Sequence, residues 1–104
     1  MGPDHEVRLS RPALLILATL LEHPQEELSG ADLRRQTGVA TGTLYPILLR
    51  LEDAGWLTSR WEELNPREAG RPRRRLYSMT GLGVRKAQAA VTLVPRSTRE
   101  LSWT

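Results

Sequence analysis

From position 41 to 57 the chain reads Thr-Gly-Thr-Leu-Tyr-Pro-Ile-Leu-Leu-Arg-Leu-Glu-Asp-Ala-Gly-Trp-Leu. Small hydroxyls, a tyrosine and an arginine stand beside a leucine ridge at helical spacing, so one side of such a helix enters a core and the other is left to meet a ligand. Thr41, Thr43 and Tyr45 carry hydroxyls suited to phosphates or base edges, and Arg50 follows two turns further along. Soon after comes Gly70-Arg-Pro-Arg-Arg-Arg-Leu-Tyr77, a dense cationic strand behind a glycine and proline turn. A guanidinium at Arg71 or Arg73 can enter a minor groove or grip a phosphate bidentately, as lysine could not. Arg75 shares a face with Arg73, whereas Arg74 points the other way. The polyanion that suits both segments is double-stranded DNA, whose major groove admits one helix.

These residues have plainer uses as well. Thr41 serves equally as a helix cap, Tyr45 as packing, and Arg50 equally as a partner of Glu52 or Asp53. Arg34 and Arg35, on a preceding helix, fit either phosphate contacts, which position without reading sequence, or a solvated face. Pro46 is tolerated only near a helix start, where its missing N–H costs nothing, so the helix is expected to be capped by Thr41 or Thr43. Thr43, Tyr45 and Pro46 then lie in its exposed first turn.

The elements that must position these groups follow from the periodicities. Ser10 and Pro12 open a first helix, expected over about residues 11–23 and stopped by Pro24. Leu14, Leu15, Ile16, Leu17, Leu20 and Leu21 leave it without a polar face, so it should be buried on more than one side. Ser29 caps a second helix through Thr37, and Gly38 ends it. The short link to the next helix makes a helix-turn-helix. Leu44, Ile47, Leu48, Leu51 and Ala54 form the apolar side of that third helix, with Thr43, Pro46, Arg50 and Asp53 opposite. Residues 57–64 and 73–79 read as two strands around turn chemistry at 65–70, with Leu76 or Tyr77 inward and Trp56 in the core at the junction. Thr80 caps a last helix to about residue 94, ended by Pro95. In it Val84, Ala87, Val91 and Val94 make one apolar seam and Leu82, Ala89 and Leu93 a second. The expected fold is mainly α with a small β-hairpin: a flexible tail at 1–9, a winged helix-turn-helix domain at 10–94, and a C-terminal tail at 95–104 holding Leu101 and Trp103.

Charge supports this placement. The chain of 104 residues carries a net +3, distributed unevenly. Residues 67–86 hold Arg67, Arg71, Arg73, Arg74, Arg75, Arg85 and Lys86 against Glu68 alone, while residues 1–33 are net acidic. Segregation of this kind is a footprint for a polyanion. The absence of cysteine removes disulfides and thiol chemistry, and with His5 and His23 as the only imidazoles no metal or other cofactor is expected. The adjacent acids Glu26-Glu27, Glu52-Asp53 and Glu62-Glu63 point in different directions, so no catalytic pair is expected either. The longest apolar run, residues 13–21, is short of the roughly 18 to 20 needed to cross a bilayer, and a cytoplasmic protein without membrane contact is expected.

The runs Gly42-Thr-Leu-Tyr-Pro-Ile-Leu-Leu-Arg-Leu-Glu-Asp-Ala-Gly-Trp-Leu57 and Gly70-Arg-Pro-Arg-Arg-Arg-Leu-Tyr77, followed by Met79-Thr80-x-x-Gly83, resemble the PadR family of bacterial transcriptional regulators. The resemblance spans about residues 10 to 90. It implies a winged helix-turn-helix repressor that dimerises through a C-terminal helix, often relieved by a small aromatic effector. Two departures stand out: Pro95 interrupts the region of the dimerisation helix, and Leu49 occupies a position that is commonly polar. A homodimer on an inverted-repeat operator is the resulting expectation, with Trp61 and Trp103 available to line a dimer cleft or an effector pocket. A winged-helix protein-interaction module without DNA binding is the alternative, and it predicts an uncharged wing.

Overall fold

A computed structural model describes residues 9–92. Eight elements follow in order: α1 (Arg11–Glu22), β1 (Leu28–Ser29), α2 (Gly30–Thr37), α3 (Thr41–Asp53), β2 (Leu57–Trp61), α4 (Pro66–Ala69), β3 (Arg75–Met79) and α5 (Gly81–Thr92). The three strands form one antiparallel sheet in the order β1-β3-β2, beside helices that make the core. The protein is thus mainly helical with a small sheet, as expected, but the sheet is more than a hairpin. Leu28 pairs with Tyr77 and Ser29 with Leu76. Two residues are too few to show alternation, which is why this strand leaves no sequence signal.

Ile16, Leu17 and Leu20 of α1, Leu33 of α2 and Leu44, Leu48 and Leu51 of α3 are fully buried together. Ser10 caps α1 through the Ala13 N–H. Leu14, Leu15, Ala18 and Leu21 remain half-buried on its other side. Ser29 caps α2 in a reciprocal box: its hydroxyl accepts from the Asp32 N–H at 3.1 Å, and the Asp32 carboxylate accepts from the Ser29 N–H at 3.0 Å. Gly38 closes α2 in the left-handed region at φ 75°, where a residue with a Cβ would be strained.

The start of α3 departs from expectation. Its N-cap is Ala40, whose carbonyl accepts from the N–H groups of Thr43 and Leu44, and no side chain caps it. Neither Thr41 nor Thr43 is the cap, and Pro46 lies beyond the first turn. The missing proline N–H would have bonded to the carbonyl of Gly42. That residue is exposed, so water can bond the carbonyl that the proline leaves without a partner.

The strands are also shorter than the expected 57–64 and 73–79. Their regular pairing runs from Leu57 opposite Met79 to Trp61 opposite Arg75. Beyond it the turn chemistry at 65–70 forms α4, capped by the Asn65 side chain and closed by Gly70 at φ 72°. Trp56 is core, as expected, and Tyr77 is the buried member of the Leu76–Tyr77 pair.

Thr80 begins α5 by accepting from the Gly83 N–H at 2.9 Å while donating to the Gly55 carbonyl at 2.6 Å. At Gly83 a Cβ would collide with the Trp56 backbone, so the threonine and the glycine three residues later together dock this helix. The packed seam is Gly83, Ala87 and Ala90, with Val84 and Val91 at its edge, shifted from the valine seam expected because close approach at Gly83 rotates the helix. α5 lies against α1, while Leu82 and Ala89 face outward. Leu9, the last residue of the expected N-terminal tail, is partly buried against the core; residues 1–8, the remainder of the apolar seams, Pro95 and the C-terminal tail with Leu101 and Trp103 lie outside the described residues. Among the described residues no helix is long and apolar enough to cross a membrane.

Candidate nucleic-acid interface

Four buried residues, Leu44, Ile47, Leu48 and Leu51, fix the rotation of α3. Everything else at the start and along the outer side is exposed: Thr41, Gly42, Thr43, Tyr45, Pro46, Leu49, Arg50 and Asp53. Thr43, Pro46 and Arg50 therefore stand together on the outer side, as the periodicity predicted. Among the described residues no ion pair engages Arg50. Its alternative partner Glu52 instead accepts from the Ser59 hydroxyl at 2.7 Å, joining α3 to the sheet.

Tyr45 is less free than its neighbours. It is 43 % exposed, and its ring lies over Gly30, where any side chain would collide with it. The first residue of α2 thus makes room for a residue of α3, a constraint that neither residue reveals in the sequence. Burial pushes the Tyr77 hydroxyl up from its ordinary value, and the charge of Glu52 and the proximity of Tyr45 push it further.

On α2 the two arginines differ. Arg35 is bound to Asp32 at 2.6 Å, whereas Arg34 is exposed and has no ion pair among the described residues. The Ser29 N–H, assisted by the Ser29 hydroxyl and Arg35, holds the Asp32 carboxyl below its usual range.

The wing arginines divide more sharply. Arg71 grips Glu62 with two bonds, Nη1 to Oε1 at 2.8 Å and Nη2 to Oε2 at 3.1 Å, and the Arg74 N–H adds a third to the same carboxylate at 3.0 Å. The Arg71 guanidinium, with that N–H, lowers Glu62 to about 2. Arg75 donates to the Ser59 hydroxyl at 2.9 Å and stacks over Trp61, 5.1 Å from the ring centre, an arrangement that favours a cation electrostatically. Arg73 is exposed and donates one N–H to the Leu64 carbonyl at 3.0 Å. The Arg74 and Arg67 side chains are exposed and have no ion pairs among the described residues. Arg73 and Arg75, expected on one face, therefore have different surroundings: the first is open and the second is folded against the sheet. Trp61, 58 % exposed, joins Leu64, Pro66 and Arg73 in lining an open hollow under the wing.

Sequence reading missed the part played by Glu62, because adjacent acids look like a solvated pair. The available signal was its position opposite the arginine run in a hairpin. A second clamp, Arg60 to Glu27 with both bonds at 2.6 Å, ties β2 to the segment before β1.

Comparison with known proteins places this geometry. Solved structures with the same fold include a PadR-like transcription factor from Bacteroides fragilis, 27 % identical with a TM-score of 0.62 over 88 % of this chain and 86 % of that one. A PadR family transcriptional regulator from Eggerthella lenta is 27 % identical, with a TM-score of 0.60 over 77 % and 70 %. A variant of MepR from a multidrug-resistant Staphylococcus aureus clinical isolate shares the fold alone, at 17 % identity and a TM-score of 0.66; this chain is covered to 88 % and spans 62 % of it. No curated protein matches. The family model described as the Transcriptional regulator PadR-like family matches residues 19–89, and with two-thirds of its length so matched the chain belongs to the PadR-like family of transcriptional regulators.

Proposed function

We propose that this regulator is a sequence-specific repressor that binds double-stranded DNA as a homodimer on an inverted repeat in the cytoplasm. Residues 10–94 act as the functional unit, with tails at 1–9 and 95–104. In this reading α3 enters the major groove with Thr41, Thr43, Pro46 and Arg50, and Tyr45 contributes its exposed edge. Arg34 and Arg35 meet the backbone beside it, and Arg73, with the open Arg74, meets a phosphate or the minor groove. Arg71 and Arg75 support the wing through Glu62, Ser59 and Trp61. The observation that carries the reading is the outer side of α3, solvent-exposed and without ion pairs among the described residues, together with Arg34, Arg73 and Arg74, which are exposed and likewise without ion pairs there, whereas Arg35 must share itself between Asp32 and a phosphate.

Dimerisation is supported by the half-buried Leu14, Leu15 and Leu21 of α1 and the outward Leu82 and Ala89 of α5. The hollow at Trp61 and Arg73 offers one place for a small aromatic effector. Competition binding to the DNA upstream of the protein's own coding region tests the central claim. The expected result is protection of two half-sites about one helical turn apart, with affinity that falls steeply with salt. Equal affinity for that DNA and for a scrambled duplex would overturn it, and a single monomer species in sedimentation equilibrium at micromolar concentration would overturn the dimer.

A further inference from the structure

We propose that the outer ridge of α3 reads thymine, through van der Waals contact of Leu49 and Pro46 with 5-methyl groups in the major groove. This rests on the DNA-binding reading above and adds the class of base that the helix selects. Gly42, Pro46, Leu49 and Asp53 follow at spacings of four, three and four residues, so they form one stripe along the helix. That stripe lies opposite the buried Leu44, Ile47, Leu48 and Leu51. Leu49 is 60 % exposed, the most open large apolar residue described.

From Gly42 to Leu49 the stripe has no side-chain hydrogen-bond donor or acceptor. It cannot make the paired hydrogen bonds by which polar side chains recognise guanine or adenine. The major-groove feature that an apolar group distinguishes is the thymine methyl. Polar reach is confined to the flanks, where Thr43 and Arg50 lie. Nothing approaches within 4 Å of the position a Cβ would take at Gly42, so the backbone there can come close to the bases. Asp53 closes the stripe with a negative charge that phosphates repel, which directs its N-terminal half into the groove. An exposed leucine could equally meet an apolar protein partner, but Arg50 beside it on the helix is exposed and without an ion pair among the described residues, which matches a polyanion.

The test selects duplexes from a pool with a random core of about 25 base pairs, long enough for two half-sites one turn apart. Each thymine of the enriched duplex is then replaced singly by deoxyuridine, which removes the methyl and leaves base pairing intact. Wild-type protein should lose about fourfold in affinity for each contacted methyl. Leu49→Ala should become indifferent at the thymine that Leu49 touches while keeping the loss at one that Pro46 touches, and Leu49→Met should remain sensitive at both. Because the change is made in the DNA, a variant's stability does not confuse the result. Wild-type indifference at every thymine, or sensitivity in Leu49→Ala equal to the wild type's at all of them, overturns the thymine reading while leaving DNA binding intact. Failure to enrich any sequence overturns the DNA-binding reading and this inference with it.

Discussion

The helix and the wing, the two regions proposed to meet DNA, are held in opposite ways. Leu44, Leu48 and Leu51 anchor α3 with no exposure at all, so its outer face is aimed by apolar packing that pH and salt barely touch. The wing beyond the sheet has no fully buried residue from Glu62 to Arg74, and only Glu62, Leu64 and Arg71 are half-buried. It is shaped by a carboxylate shared between Arg71 and the Arg74 N–H, by an asparagine cap, and by one arginine bond to a carbonyl. Polar clamps of this kind on a surface contribute little stability, since solvent screens them. They also occupy charges: the Arg71 cation is largely matched by Glu62, so the number of arginines in the wing overstates the charge left for a polyanion.

The contrast is broken most directly by truncating a residue on each side of it. Leu48→Ala should cost about 2 to 5 kcal/mol through lost transfer energy and a cavity, a large share of the stability of a small domain. Arg71→Ala should cost far less, because solvent screens the ion pair it breaks. Thermal melts of the two variants measure the difference, and similar losses would mean that the wing is part of the cooperative core.

Salt dependence sharpens the comparison inside the wing. If Arg74 meets a phosphate and Arg71 only holds Glu62, Arg74→Ala should reduce the slope of log affinity against log salt by about 0.9. Arg71→Ala should leave that slope nearly unchanged and lower affinity by loosening the wing. Titrations of both variants over a range of salt concentrations check this. A loss of slope in Arg71→Ala alone would mean that its pairing with Glu62 opens on DNA.

The same contrast explains what the sequence disclosed. Hydrophobic spacing, Ser10, Ser29, Gly38 and Thr80 set the helices correctly, because periodicity and capping are local and repeat over many residues. The two-residue β1 had no period to show. The start of α3 at Ala40 was missed because the threonines looked like caps, whereas the chain is carried there by the backbone and by Leu44 packing. Tyr45 over Gly30 and Gly83 against Trp56 are contacts between distant segments, visible in sequence only as unexplained glycines. In the wing the arginines were legible as charge. Their division into paired and open groups depends on where the hairpin brings Glu62 and Trp61, which composition does not contain.

The smallest effect, and the most local, concerns pH. In the folded wing Glu62 titrates at about 2, against an ordinary glutamate value of 4.5, because the Arg71 guanidinium and the Arg74 N–H favour its charged form. A lowered folded value means that the clamp's contribution is complete above 4.5 and is lost as pH falls from 4.5 towards 2. Arg71 keeps its charge throughout, so the only change in the pair is the carboxylate's loss of charge. Asp32 and Glu27 are also held below their ordinary values, by the Ser29 N–H and by Arg60 respectively, so a global melt would mix three carboxylates. The Trp61 indole, adjacent to Glu62 in the chain, is the better reporter. Its NMR resonance, assigned with Trp61→Phe, should shift with a midpoint near 2 in the wild type and lose that transition in Glu62→Gln. A midpoint near 4.5 that disappears in Glu62→Gln would show that Glu62 is a free carboxylate in solution. The wing would then be held by its backbone alone, and Arg71 would be as open to DNA as Arg74.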